Sequence, residues 1–325
     1  MDDEHKSLMP GSDRVYGWIR SDPDPDDRMY AVPPQVVAAA PPAIDLSLPT
    51  LPKPFEPSLN QAAQGSCGPH TAAEDLIFAM LRQDNLGAAV LPSVRFIYWC
   101  TRMIMGTTNE DSGVDNRSLG LALQQFGWCD EEKCPYQGGD FTAMRTKPSQ
   151  EAFDQAAERK IQAVFGVPAD TDTMCACLSN GDTFWVGCKL YPPFESQRTG
   201  QTGIVDMPIR GMQPIGGHDM LCVGYNRSSA MFGDIPPGYF KLKNHWYSGG
   251  VPWGANGYCF MPINYLINPN ISGSYYTVRH SYYPVVAPPT PPVPPVPPTP
   301  IPPSPTGRHV ITTTGETWVD GVKLK

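Results

Sequence analysis

Apolar positions in the first half of the chain recur with a helical period. Over 71–86, Leu76, Ile77, Met80 and Leu81 share one stripe, which predicts an amphipathic helix. A second helix is expected over 92–105, carrying Val94, Ile97, Tyr98 and Met105. After the polar stretch Asn109-Glu110-Asp111-Ser112-Gly113, a third is expected over 117–126, ended by Gly127 just past its last turn. Residues 149–164 are charged and amphipathic, a short helix or a helix followed by a strand. From Phe184 the period shortens, and 184–191, 219–225, 239–243, 258–261 and 275–280 read as strands parted by Gly, Pro and Asn turns. Helices first and strands second predict an α+β domain: a helical lobe beside an antiparallel sheet lobe, with a cleft between them.

The flanks follow different rules. Residues 1–59 are rich in Pro and Asp and are expected to lie extended against the domain formed by 60–283. Residues 284–306 are mostly proline, which predicts a polyproline II spacer. The tail, 307–325, alternates apolar and polar residues about Gly315-Glu316. It reads either as a hairpin that docks on a protein assembly partner or as the frayed end of a linker.

Composition narrows the function classes. With 24 Lys and Arg against 32 Asp and Glu the net charge is −8, and no basic run interrupts it. Nucleic acid is therefore excluded as the main partner. No stretch approaches the roughly 18 consecutive apolar residues of a membrane span. The N-terminal Met-Asp-Asp-Glu-His-Lys leads into no apolar segment, so the chain is expected to be made without a standard secretory signal and to reside in the cytoplasm. Nine cysteines are then expected as reduced, buried side chains. Cys129 with Cys134 and Cys175 with Cys177 lack a second half at metal-site spacing, so no metal and no cofactor is expected.

Candidate chemistry gathers in three stretches. In Asn60-Gln61-Ala62-Ala63-Gln64-Gly65-Ser66-Cys67 the cysteine stands just before a predicted helix, whose N-terminal dipole favours a thiolate. Gln61, six positions upstream, is placed to offer its amide to an oxyanion, together with the Cys67 N–H. Gly216-Gly217-His218 leads an apolar strand, so the imidazole can project from the sheet edge as acid and base. Asn244-His245-Trp246 supplies an amide to orient that imidazole and an indole to shield their hydrogen bond. Thiol, imidazole and amide in this order suit a cysteine-nucleophile hydrolase.

These stretches resemble the papain-like cysteine peptidases, in particular the compact group found in bacteria and their viruses. The segment 60–67 is similar to that group's Gln-Gly-x-x-Gly-Ser-Cys signature, with Ala62 in place of Gly. Gly216-Gly217-His218 is similar to its Gly-Gly-His strand start. Asn244-His245-Trp246 with Trp253-Gly254-Ala255-Asn256-Gly257-Tyr258 is similar to its Asn-Ser-Trp and Trp-Gly-x-x-Gly-Tyr segment. Tyr16-Gly17-Trp18 and Asp27-Arg28 extend the likeness, which runs from about 15 to 283. The resemblance implies a papain-like two-lobed fold with catalytic Cys67, His218 and Asn244, and Gln61 in the oxyanion hole. It also implies supporting roles for Trp246 and Trp253, and substrate contacts at Gly113 and Gly217.

The departures carry expectations of their own. Gln64 stands where secreted relatives carry a disulfide cysteine, and His245 replaces the common Ser. His70 is expected on the solvent face of its helix. Residues 1–59 are expected to pack permanently rather than to act as an inhibitory pro-domain. The function expected is hydrolysis of protein or peptide substrates through a Cys67 thioester. Two rivals share the residues: a transamidase, and a peptidase-fold attachment component of a larger assembly such as a phage virion, tethered by 307–325.

Overall fold

The computed structural model of the protein describes residues 15–22, 24–47, 59–82, 90–248, 250–280, 310–313, 315–319 and 322–323. The chain divides into two compact units, 1–283 and 284–325. The proline-rich stretches 48–57 and 284–306 lie outside the described residues.

The first unit opens with β1 (Trp18–Ile19), α1 (Pro34–Ala39) and β2 (Ala43–Asp45). A helical layer follows: α2 (Cys67–Arg82), α3 (Val94–Met105), β3 (Val114–Asp115), α4 (Asn116–Gln125), α5 (Phe141–Arg145) and α6 (Gln150–Ala157). Then come β4 (Ile161–Gly166), α7 (Thr171–Ser179), β5 (Phe184–Leu190), α8 (Gln197–Thr202), β6 (Gly216–Asn226) and β7 (Tyr239–Lys243). The unit ends with β8 (Tyr247–Ser248), β9 (Val251–Pro252), β10 (Tyr258–Pro262), α9 (Ile263–Leu266) and β11 (Ser272–His280).

Seven strands form the main sheet in the order β10-β7-β6-β5-β11-β4, with β2 added to β6 at Ala43↔Asn226 and Asp45↔Gly224. All of these pairings are antiparallel. The sheet is buried on both faces, and strand alternation sorts the side chains. Phe184, Val186, Cys188, Met220 and Cys222 point into one core with Trp246, Trp253 and Tyr265. Trp185, Leu221 and Val223 point the other way, onto Leu76, Ile77 and Phe78 of α2 and Leu119 and Leu123 of α4. This is the α+β, two-lobed arrangement expected: helices beside an antiparallel sheet, with α2 packed against β5 and β6.

Local chemistry explains the helix ends. Ser93 caps α3 by accepting from Phe96 N–H, and Gly106 closes it at φ 75°. Asp115 caps α4, and Gly127, at φ 79°, donates to Leu123 O. Helix α2 starts at Cys67, four residues before the expected boundary, and residues 83–89 lie outside the description. The segment 149–164 resolves into α6 followed by β4.

In the second unit β12 (Val310–Thr313), β13 (Glu316–Val319) and β14 (Val322–Lys323) form an antiparallel meander. Its first turn places Gly315 at φ 83° and pairs Thr313 with Glu316. The alternation about Gly315-Glu316 is thus a hairpin, with a third strand added.

Candidate active site

Cys67 is the first residue of α2 and is fully buried. The loop before it is pinned from behind. Tyr136 Oη donates to Gln61 O at 2.7 Å and meets Ser66 Oγ at 2.8 Å. Asp111 accepts from Gly65 N–H at 3.0 Å and from Tyr98 Oη at 2.6 Å, which ties the nucleophile loop to the 111–113 loop. Gln64 donates to Gln137 O and Asp140 O at 3.2 and 3.3 Å. Its amide thereby ties the nucleophile loop to the 137–140 segment. All nine cysteines are free and buried.

His218 of β6 and Asn244, the residue after the end of β7, come together where these two strands pair. His218 Nε2–H donates to Asn244 Oδ1 at 2.9 Å, and Asn244 Oδ1 also accepts from His245 N–H at 2.9 Å. Trp246 lies over the imidazole, with centroids 4.5 Å apart and planes tilted by 30°. Trp253 packs edge-on against Trp246 and stacks on Phe194 at 4.8 Å. Phe194, which the sequence did not single out, closes this aromatic wall against His218. The Cys67 thiol accepts from the backbone N–H of Asp219, the residue after His218, so the two lobes meet at the sulfur.

Gln61 is oriented by its own hydrogen bonds. Trp246 Nε1–H donates to its Oε1 at 3.1 Å, which leaves Nε2 to donate to Gln64 O at 2.6 Å and to Val15 O at 2.9 Å. The second of these acceptors lies in the cleft. Residues 15–20 run across the crevice as a strap, with β1 pairing in parallel with β3 and Val114 N–H donating to Gly17 O at 2.8 Å. Gly17 presses so closely on Gly65 and Gly113 that a Cβ on it would lie 2.0 Å from Gly65 O. Its N–H points at the Cys67 sulfur. Tyr16 covers Gly216 and hydrogen-bonds Glu195; Trp18 covers Gly187 and Gly217. Both glycines expected to meet substrate, Gly113 and Gly217, therefore meet the chain's own N-terminal segment.

The strap is clamped further along. Arg20 donates to Pro269 O at 2.7 Å, and Arg117 binds Asp24, Asp27 and the carbonyl of Asp22. Tyr30 then joins Gly166 and Asp182 before β2 enters the main sheet. Residues 1–59 were expected to lie extended against the domain; their described part packs on it, but turns through the short helix α1, reaches over the nucleophile and supplies a strand of the sheet.

Burial under this strap changes the electrostatics. The helix N-terminus was expected to favour a thiolate, yet desolvation pushes the Cys67 thiol up to about 12, and the nearby Asp219 carboxylate adds to the shift. Asp219 is itself raised to about 7 by burial, against a hydrogen bond from Asn116. His70 corrects an expectation: instead of facing solvent it is 1% exposed. Its ring stacks on His245 at 5.1 Å and its Nδ1–H donates to Ser66 O at 2.8 Å. Burial lowers both imidazoles to about 3. The expected helical stripe ignored that the residue after Asn244 packs against this face of α2. Among the described residues no cluster of His, Cys, Asp and Glu has the arrangement of a metal site, and no helix is long and apolar enough to cross a membrane.

The fold is two-lobed, with a cysteine at a helix N-terminus hydrogen-bonded to the strand residue that follows a histidine, and the family model of the papain family cysteine proteases matches residues 41–276. The chain belongs to that family. It is 29% identical over 293 residues to the uncharacterized peptidase C1-like protein L477 of Acanthamoeba polyphaga mimivirus, covering 84% of this chain and 89% of that one. Among solved structures it is similar to xylellain, a cysteine protease from Xylella fastidiosa, at 27% identity and TM-score 0.72, covering 82% of this chain and 97% of xylellain. The fold is also that of procathepsin B S9 from Trypanosoma congolense, at 14% identity and TM-score 0.63, over 83% of this chain and 88% of that one.

Proposed function

We propose that the protein hydrolyses peptide bonds through a thioester on Cys67, with His218 as acid and base, Asn244 as its orienting partner and Gln61 as oxyanion donor. The observation that carries this reading is the strap. A peptide carbonyl, that of Val15, accepts from Gln61 Nε2 while the neighbouring main chain lies on the Cys67 sulfur and pairs with β3. A substrate strand in this crevice finds the same backbone partners.

In the reaction His218 takes the Cys67 thiol proton as Sγ attacks the substrate carbonyl carbon, and the oxyanion is held by Gln61 Nε2–H and the Cys67 N–H. As the C–N bond breaks, His218 gives its proton to the leaving amine. Water then attacks the thioester and His218 takes its proton, which releases the acid and restores the thiol. Asn244 holds the ring in the orientation both transfers need, behind the wall of Trp246, Trp253 and Phe194. The strapped form is closed to substrate, so turnover begins when 15–20 leave the crevice.

A peptidyl epoxide probe tests this reading. Wild type is expected to be labelled on Cys67, faster when Trp18 is replaced by Ala, and Cys67→Ala not at all. Labelling that persists in Cys67→Ala, or maps to another residue, overturns it. Addition of an amine acceptor separates hydrolysis from transamidation: a transamidase yields the amide, the proposed enzyme the free acid.

A further inference from the structure

His245 meets both halves of the proposed machinery. Its N–H donates to Asn244 Oδ1 at 2.9 Å, and its carbonyl accepts from Gln61 N–H at 3.0 Å. Its ring lies 5.0 Å from that of His218, tilted by 58°, and stacks on His70 at 5.1 Å with the planes 25° apart. His70 in turn holds the turn that carries the nucleophile. Its Nδ1–H donates at 2.8 Å to the carbonyl of Ser66, the residue before Cys67. Tyr136 packs edge-on against His70 at 4.8 Å while its Oη donates to Gln61 O.

What the His245 ring does there is narrowed by what it lacks. Both rings are buried, and neither nitrogen of His245 has a hydrogen-bond partner among the described residues. Glu74 Oε2 stands 3.8 Å from its Nδ1, beyond hydrogen-bond reach. Burial, with Lys243 two residues upstream, keeps the ring neutral, and burial beside His245 does the same for His70. The His245 imidazole therefore acts through its face rather than through its nitrogens or a charge. Stacked rings prefer a set separation and offset, so the contact fixes distance and orientation together. Helix α2 carries the thiol, and the segment after β7 carries the amide that orients His218. The stack is thus a side-chain link from nucleophile to base. The related signature has Ser at 245, which offers no ring.

We infer that His70 and His245 are positioning residues for the reaction, their stacked rings holding the Cys67 turn in register with the Asn244–His218 pair. This rests on the peptidase reading of the same site. Neither residue touches substrate; each acts through the other and through the backbone groups it holds.

The test is steady-state cleavage of a peptide selected from a mixed library, by the full chain carrying Trp18→Ala to free the crevice. Addition of His245→Ala or His70→Ala is expected to lower kcat by roughly tenfold to a hundredfold, the cost of a misplacement of about 1 Å, with KM changed by less than about twofold. The double alanine variant is expected to lose no more than the worse single, because each ring works through the other. His245→Phe keeps the face and gives up only two unused nitrogens, so it is expected to retain kcat within about threefold. His70→Phe keeps the face but loses the bond to Ser66 O, and is expected to fall between parent and alanine. If the alanine variants do not fold, His245→Phe decides alone, and a tenfold or greater loss of its kcat overturns the inference. Alanine variants with unchanged kcat, a change confined to KM, losses that multiply in the double variant, or a His245→Phe as impaired as His245→Ala also overturn it and leave the peptidase reading standing. No cleavage of any peptide by the Trp18→Ala parent, with Cys67 intact and open to iodoacetamide, overturns the peptidase reading and the inference with it.

Discussion

The side-chain amide of Gln61 and the carbonyl of Val15 are joined by a hydrogen bond of 2.9 Å that closes the cleft from within. The donor is the group expected to meet an oxyanion, and the acceptor is a peptide of the same chain. In the proposed reaction substrate and strap therefore compete for one amide. Removal of residues 1–20 is expected to accelerate alkylation of Cys67 by iodoacetamide on the order of a hundredfold. Loss of the buried Trp18 side chain alone is worth about 3–5 kcal/mol of docking. Equal rates with and without the strap would show that it does not shield the thiol.

Asp219 offers a second test. Burial raises its carboxyl to about 7, so the folded state binds its proton more tightly than the unfolded chain does. Its contribution to stability is complete below the unfolded value near 4 and is lost as pH rises through about 7. Asp219→Asn is expected to gain stability relative to wild type between pH 4 and 8, read from urea midpoints at each pH. Burial is the main cause of the raised Cys67 thiol and the Asp219 charge the next. The variant's alkylation profile is therefore expected to shift to lower pH.

His70 and His245 carry the opposite sign. Burial depresses both to about 3, against an unfolded value near 6.5. The stability they contribute is present above about 6.5 and is lost as pH falls toward 3. Glu131 and Asp219, both raised to about 7, offset this in the whole protein, so a single stability curve hides it. Comparison of variants exposes it. His70→Phe is expected to gain on wild type by about 1 kcal/mol for each pH unit below 6.5. A difference that stays flat with pH would show that His70 is not held neutral.

Ala62 has φ 51°, a left-handed conformation at the position where the related signature has glycine. The strain of a Cβ there costs about 1 kcal/mol. Ala62→Gly is expected to recover most of it, less the entropy of a freer unfolded chain, and to raise the melting temperature by a few degrees. An unchanged or lower melting temperature would place the strain elsewhere.

Much of this was legible in advance because the signals are local. Helices α3 and α4 follow from their apolar stripes, and β5, β6, β7 and β10 from runs of apolar residues between turns. Cys67, His218 and Asn244 stand in short motifs, and the His218–Asn244 hydrogen bond follows from neighbouring strands. Helix α7 was missed because Met174, Cys175, Ala176, Cys177 and Leu178 are all buried and show no amphipathic stripe. Its Asp170 cap, which accepts from Thr173 N–H, was the available signal. The strap was missed for a different reason. Tyr16-Gly17-Trp18 is too short to show a period, and its partners at Gly65, Val114, Gly187 and Gly217 are distant in sequence. The burial of His70 likewise depends on His245, which the helix's own pattern does not contain.

The entry of β2 into the main sheet has a consequence for how the cleft opens. Residues 43–45 are fixed as a strand beside β6, so residues 15–20 can leave the crevice while the chain between stays attached to the domain. What departs is a leashed competitor whose local concentration is on the order of millimolar. In the proposed reaction an incoming peptide must outcompete it at every turnover, and dilution of the protein does nothing to help. A single cut after Ser21, ahead of the ties that Arg117 makes to Asp22, Asp24 and Asp27, would turn that recurring contest into a permanent release.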